Sequence, residues 1–457
     1  MANPAIGTLL VLGASGDLTT RLLLPGLATL LASDWAEGSP TPLVVGSARD
    51  ELTAGQWRDR VRSAFDSAGV RGERLDEAAR KATWVPADVT SADDLHRLLS
   101  TCRGAPAIYF ALPPAVTARC CEALAQVELP AGTVLVMEKP FGTDRAGAEE
   151  LNRLVADLVP EERVFRVDHF LGRSDVLNIL GVRFANRLLE PIWDRNHVER
   201  IDIVYDEDLA LEGRAGYYDH AGALVDMLQS HLLQVMAVLM MEPVASLDER
   251  TFRDAKAALL RATRVRGSGR TASRRARYTA GRLGDRDLPA YTREAGVDPA
   301  RRTETLAEVT LEVRNARWAG VPVTLRSGKA LGRPRKEAVV TLKPVAHLPH
   351  GFTGTATPDT VTIGFKPPRL AIHLDVNGPG DPFELEASEV GADLGPGDMT
   401  AYGEVLAGVL EGDPMLSVRG DVAEECWRIV APVLSAWRDE QVPMDTYPAG
   451  SDGPRGW

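Results

Sequence analysis

The sequence predicts an α/β fold in two parts. Residues 1–170 should form an N-terminal doubly wound parallel sheet, and residues 171–457 a larger α+β domain with a mainly antiparallel sheet. Three observations predict it. Short apolar runs alternate with helical patterns through the first part of the chain. A glycine-containing turn follows the first run. Beyond about residue 170 the pattern changes to long helices and then to strands of period-two alternation.

The first apolar run is Thr8 to Leu12. Pro42 to Ala48, Ala82 to Pro86, Ala107 to Leu112 and Thr133 to Met137 follow it. Helical patterns such as Leu52 to Ala68 and Ala115 to Val127 lie between them. Strands that are apolar on both faces need helices on both faces, which is the parallel arrangement. Asp175 to Leu189 and Gly222 to Met241 read as long helices. Glu308 to Val313, Val321 to Arg326 and Ala338 to Leu342 alternate as strands with few helices between, so this sheet should be antiparallel. Arg261 to Arg286 holds nine arginines among Gly and Ser and reads as a solvated loop with a helical end rather than an anion patch. No internal repeat is present.

The chain has 457 residues, enough for two to three domains with a buried core. A net charge of −12 argues against a nucleic-acid binder but leaves an anionic small ligand open. No apolar run is expected to reach membrane-spanning length: Leu232 to Met241 is interrupted by Gln234 and suits a buried helix. Met1 to Pro4 lacks the basic region of a signal peptide. Cys102, Cys120, Cys121 and Cys426 contain no CxxC pair, so neither a zinc site nor a disulfide framework is expected. A reducing cytoplasm is the natural compartment.

Gly13-Ala14-Ser15-Gly16-Asp17-Leu18 follows the first strand and opens a helix. Such a turn lets backbone approach a pyrophosphate, and the helix N-terminus offers free N–H groups. The second strand ends at Arg49-Asp50. An arginine there favours the 2′-phosphate of NADP, and an acid favours the free hydroxyl of NAD. NADP is therefore the expected cofactor, with NAD possible.

Three further segments carry chemistry. Lys139, in Glu138-Lys139-Pro140-Phe141-Gly142, follows the fifth strand, beyond whose end ligands bind in open parallel sheets. Arg166 to Arg173 puts an Asp168-His169 pair in an apolar strand, with His169 and Arg173 suited to a phosphate monoester. Asp219 to Gln234 is apolar on almost every side and carries Asp226 and His231. On an α-helix these two stand about 140° apart and do not stack. His231 is the expected general base, with Asp168 as a possible orienting carboxylate.

These residues resemble the glucose-6-phosphate dehydrogenase family. The resemblance runs through Gly13 to Leu18, Glu138 to Gly142, Arg166 to Gly172, Arg183 to Asn186, Pro191 to Trp193, Glu212 to Arg214, Gln229 to Gln234, Arg326 to Leu331 and Cys426 to Ile429. It implies a Rossmann domain and a larger α+β domain used for dimerisation, giving a homodimer or homotetramer. It implies oxidation of C1 of glucose 6-phosphate to the lactone, the first oxidative step of the pentose phosphate pathway, with no metal. His231 then matches the general base and Asp168 its carboxylate partner. His169 and Arg173 match phosphate ligands, and Glu207 and Asp226 hydrogen-bond the sugar. Lys139 and Lys329 contact substrate, with Lys139 also near the cofactor, and Arg49 matches the 2′-phosphate contact. The chain departs from the family at Arg173 for lysine, Phe170 for tyrosine, Ser230 for asparagine and Val225 for arginine. Pro334 stands where a basic phosphate ligand is expected, leaving Arg333 or Arg335 to substitute. Competing readings are a related enzyme with another sugar or NAD, another two-domain Rossmann sugar oxidoreductase, and a non-catalytic NADPH-binding sensor.

Overall fold

A computed structural model describes residues 6–395 and 397–457. The Met1 to Pro4 reading lies outside them. The chain forms two compact units. The first contains residues 1–174, 244–257 and 397–427; the second contains 175–243, 258–396 and 428–457. The units are therefore not the two continuous stretches 1–170 and 171–457. Of the two later segments, 397–427 adds side chains to a core of the parallel sheet, and 244–257 is tied to the unit through the Arg253–Glu161 pair.

That sheet has six strands: β1 (Ile6–Leu12), β2 (Leu43–Ser47), β3 (Thr83–Trp84), β4 (Ala105–Phe110), β5 (Val134–Glu138) and β6 (Val164–Val167). Their order is β3-β2-β1-β4-β5-β6, all parallel. This is the doubly wound order with its switch point at the ends of β1 and β4. Alternation along β1 feeds two cores. Leu9 and Val11 face one, while Leu10 and Leu12 face the other. The first core also takes Tyr402, Leu406 and Val409 from helix Ala401–Glu411, which lies against helix Leu24–Leu31. Gly26 permits this approach: a Cβ there would sit 2.5 Å from Cβ of Tyr402.

The second unit is built on β7 (Val198–Asp206), β8 (Thr263–Val265), β9 (Ser273–Thr279), a small hairpin β10 (Gly281–Leu283) and β11 (Arg286–Leu288), β12 (Leu306–Val313), β13 (Pro322–Gly328), β14 (Lys336–Leu342), β15 (Thr353–Gly354), β16 (Thr360–Phe365), β17 (Pro368–Asn377), β18 (Glu384–Asp393) and β19 (Met444–Pro448). All but the hairpin form one sheet of order β15-β18-β17-β16-β14-β7-β13-β12-β9-β19, with β8 also on β12. It is mixed and mainly antiparallel, the parallel pairs being β7–β13, β9–β19 and β15–β18.

Three expectations change here. Arg261 to Arg286 is not a solvated loop: it spans a helix end and β8 to β11, and Arg275 is buried, donating to the Val442 carbonyl at 2.9 Å. The helix expected over Asp175 to Leu189 stops at Phe184. The run Ala215–Met240 is long and apolar enough to cross a membrane, against expectation, yet 89% of its apolar window is buried in the protein. It is also not one regular helix. Gly222 breaks it at φ +65°, Leu224–Leu232 is a π-helix, and Leu233–Met240 is α-helical.

Candidate active site

In the parallel-sheet unit, the glycine loop after β1 opens onto a cavity of about 640 Å³. Gly13, Ser15, Arg49, Asp50, Asp88, Thr90 and Arg119 help line it. Gly13 is required by packing: its φ is +81°, and a Cβ would lie 2.3 Å from the Ala111 carbonyl oxygen beyond β4. The N–H groups of Gly13 and Ala14 both donate to Ser47 O, at 2.8 and 3.0 Å. These two donors tie β1 to β2 and are not offered to a ligand. Ala14 is buried, Leu18 packs on the core, and Ser15, Gly16 and Asp17 are exposed at the turn. Arg49 is exposed and makes no ion pair among the described residues. Arg119, on helix Pro114–Leu124, escaped sequence reading because its helical spacing reads as a solvated face. Asp88 accepts from the Thr90 N–H and hydroxyl, and these bonds, with nearby Arg49 and Arg119, hold its carboxyl below the ordinary range.

The C-terminal ends of β5 and β6 hold the second group. Asp168 is not inside a strand, as the sequence suggested. It lies just past β6, is 2% exposed, and accepts from the Phe170 N–H at 2.9 Å. The His169 ring stacks on Tyr402 at 6.0 Å and meets Phe170 edge-on at 5.1 Å. The Arg173 guanidinium lies 5.3 Å from the Phe170 ring centroid. The Phe170 departure therefore gives an apolar platform between the two proposed phosphate ligands. Lys139 follows β5, next to Glu138, which accepts from the hydroxyls of Tyr109 and Tyr402, the latter at 3.2 Å. The surrounding protein raises the Glu138 carboxyl, an effect that these two hydrogen bonds oppose. The Glu138–Tyr402 contact was invisible in sequence because 264 residues separate the partners.

In the second unit the parallel pairing of β7 and β13 sets Asp206 opposite Gly328. Glu207 and Lys329, one residue further on each strand, meet at 2.6 Å. Lys329 Nζ also lies 5.0 Å from the Tyr218 ring, and the Tyr447 hydroxyl donates to the Lys329 carbonyl at 2.7 Å. His231 is 1% exposed and Asp226 is 6% exposed, both on the π-helical segment. There the hydrogen bonds run i→i+5, as from Leu233 N–H to Leu228 O. Residues five apart then lie about one turn above each other. The expected 140° separation of Asp226 and His231 does not hold, because it assumed α-helical geometry. Ser230 donates to the Asp226 carbonyl at 2.5 Å and so spends its hydroxyl within the helix. Arg335 does not join Lys329: its side chain pairs with Glu337 at 2.8 Å. Arg333 is exposed, 3.8 Å from Asp452. The neighbouring Lys336, 5.5 Å from the Tyr205 ring and 3.8 Å from Asp208, was missed. It stands two residues beyond Pro334, one past the Arg335 that the sequence offered.

Glu304 anchors the helix that carries His231. Its carboxylate accepts from the Leu224 N–H at 2.9 Å, and its carbonyl from Ala223. Burial pushes its carboxyl up to about 7. A carboxyl whose folded value is raised favours folding at low pH and loses that contribution as pH climbs through the folded value. Glu304→Gln keeps the acceptor and removes the charge. Its melting temperature should exceed that of the wild type by several degrees at pH 9 and by much less at pH 5. A gap that stays constant across this range would sink the assignment.

Two family models match the chain: the NAD binding domain of glucose-6-phosphate dehydrogenase over residues 10–178 and its C-terminal domain over residues 180–457. The chain is 35% identical to the glucose-6-phosphate 1-dehydrogenase of Gluconobacter oxydans, covering 97% of this chain and 94% of that one. It is 34% identical to that of Mycolicibacterium smegmatis, covering 97% and 93%. The crystal structure of glucose-6-phosphate 1-dehydrogenase from Mycobacterium avium aligns with a TM-score of 0.86 at 30% identity, covering 99% of this chain and 96% of that one. A glucose-6-phosphate dehydrogenase in complex with its substrate glucose 6-phosphate aligns at 0.87 and 26% identity, covering 100% and 97%. With both family models matched in order along the chain, it belongs to the glucose-6-phosphate dehydrogenase family.

Proposed function

We propose that this chain oxidises C1 of glucose 6-phosphate to 6-phosphogluconolactone and passes the hydride to NADP. The observation that carries the reading is His231, a buried histidine in a π-helical turn with Asp226 one turn before it. His231 takes the proton from the C1 hydroxyl as the C1–H bond gives up its hydride and C1 becomes a carbonyl. Asp168 supplies the carboxylate that steadies the resulting imidazolium. Glu207 and Asp226 accept hydrogen bonds from the sugar hydroxyls, and Lys329 binds the sugar. His169 and Arg173 hold the phosphate.

The residues present fit the cofactor. The cavity beside the glycine loop sits at the switch point of the sheet, and Arg49 and Arg119 line it. NADP, when bound, supplies the hydride acceptor. Arg49 holds the 2′-phosphate and favours NADP over NAD, while Asp50 pulls the other way. The four cysteines are free thiols, which supports a cytoplasmic setting. Self-association into a homodimer or homotetramer is supported by Leu374, Val376 and Val390, exposed on the adjoining strands β17 and β18.

Initial rates with glucose 6-phosphate and glucose, each with NADP and NAD, test the reading. Glucose 6-phosphate with NADP should be turned over best, and equal turnover of glucose would overturn it. Arg173→Ala should raise KM for glucose 6-phosphate about tenfold or more, because a charge-assisted contact contributes roughly 1.5–3 kcal/mol. KM for NADP should stay nearly constant. Parallel loss for both substrates would show that Arg173 is not a phosphate ligand.

A further inference from the structure

The second unit holds a further cavity, of about 500 Å³, whose lining includes none of the residues assigned to the reaction above. Helix Ala215–Ala223, β9, the segment 300–304 and the end of helix Gly420–Arg438 wall it. Four arginines line it: Arg275, Arg301, Arg302 and Arg438. Three acids line it with them: Asp219, Glu304 and Glu440. In a chain of net charge −12, a concave wall with more cations than acids runs against the average composition.

Ion pairs account for two of the four arginines. Arg301 Nε lies 3.3 Å from Asp219, and Arg302 pairs with Glu440. Arg438 ends its helix and makes no ion pair among the described residues. Arg275 is 4% exposed and gives Nε and Nη2 to the Val442 carbonyl, an uncharged acceptor, at 3.2 and 2.9 Å. Its Nη1 has no hydrogen-bond partner among the described residues. The guanidinium is also held 5.5 Å from the Trp437 ring, whose Nε1 donates to Ser273 Oγ at 2.9 Å. Glu304 opposes this surplus only in part. Its carboxylate already accepts from the Leu224 N–H, and burial pushes it up to about 7 although Arg275 draws it the other way.

The backbone adds to the arrangement. Arg302 is left-handed at φ +56°, and the five consecutive residues 300–304 all line the cavity. A buried guanidinium with a spare donor needs an acceptor, and two guanidiniums without an ion pair in one concavity favour an anionic one. Arginine suits the planar oxygens of phosphate and carboxylate groups. The volume is in the range of small-molecule sites.

We propose that this cavity binds a small multivalent oxyanion, a phosphate ester or a polycarboxylate, through buried Arg275 and the more exposed Arg302 and Arg438. The site is independent of the proposed reaction.

Pyrophosphate and citrate are the probes, with sodium chloride at matched ionic strength as the reference. The host is the full chain carrying Arg49→Ala and Arg173→Ala, which weakens anion binding at the cofactor cavity and at the proposed sugar-phosphate ligand. Calorimetry should show binding of at least one probe, pyrophosphate marking a phosphate ester and citrate a polycarboxylate. Adding Arg302→Asn and Arg438→Ala should weaken it about tenfold or more, because charge-assisted donors are lost. Asparagine tolerates the left-handed backbone, so the fold should be kept. Glu440→Gln in the host should act in the opposite sense. It releases Arg302 and removes a competing acid, so binding should tighten by about twofold or more, an effect that a merely structural ion pair would not produce. A host that binds neither probe above the chloride reference overturns the proposal, and so does binding that the two arginine substitutions leave unchanged. Should those substitutions unfold the protein, Glu440→Gln decides, and unchanged or weaker binding overturns the proposal. A wild type without sugar-phosphate turnover would sink the functional reading and leave this binding measurement intact.

Discussion

Replacing His231 with alanine should lower kcat by about 10²–10⁴-fold, the usual loss when a general base is removed. The loss should appear in kcat and kcat/KM together, because the base acts on the proton in the transition state. Binding of NADP should be unchanged, since the cavity proposed for it is lined by Gly13, Ser15 and Arg49 and His231 is not among its lining residues. The side chain is 1% exposed in a helix whose N-terminus is tied by Glu304, so some destabilisation will accompany the change. Melting curves would separate that loss from chemistry. Retention of more than about a third of wild-type kcat would remove His231 from the mechanism.

Arg49→Ala should weaken NADP by about 10–150-fold, which corresponds to roughly 1.5–3 kcal/mol for a hydrogen bond to a charged phosphate. NAD, which has no 2′-phosphate, should change by less than about twofold. Arg119 lines the same cavity and should limit the loss, so the Arg49→Ala, Arg119→Ala pair should lose more NADP affinity than either alone. Asp50→Ser should shift preference further toward NADP by removing an acid from the ribose side. Titrations of both cofactors against each variant decide the matter. Equal losses for NADP and NAD would show that Arg49 does not read the phosphate.

Much of this was legible in the sequence. The parallel strands were visible as apolar runs because β1, β4 and β5 are buried on both faces, which forces an unbroken apolar segment. The glycine loop was visible because Gly13 needs a positive φ and close approach to Ala111, and only glycine meets both. The sequence assigned this turn to close approach of a ligand, and the structure adds that Gly13 packs β1 against the end of β4.

By itself, then, the sequence determined the doubly wound class of the first part, the family resemblance, and the candidate side chains for the chemistry, from Arg49 and Lys139 through Asp168 and His231 to Lys329. These are properties of local pattern and residue type, and local pattern is what a chain states directly. Only the tertiary structure decided the rest. It returned residues 244–257 and 397–427 to the parallel-sheet unit, and so set Arg253 against Glu161 and Tyr402 against Glu138 and His169. It wound Leu224–Leu232 as a π-helix, which brought Asp226 into line with His231. It turned Arg335 to Glu337 and left Lys336 beside Tyr205. The physical reason is common to all of these. Each depends on which distant segments fill the space around a side chain, and the burial and charge they impose are absent from any local stretch of the sequence.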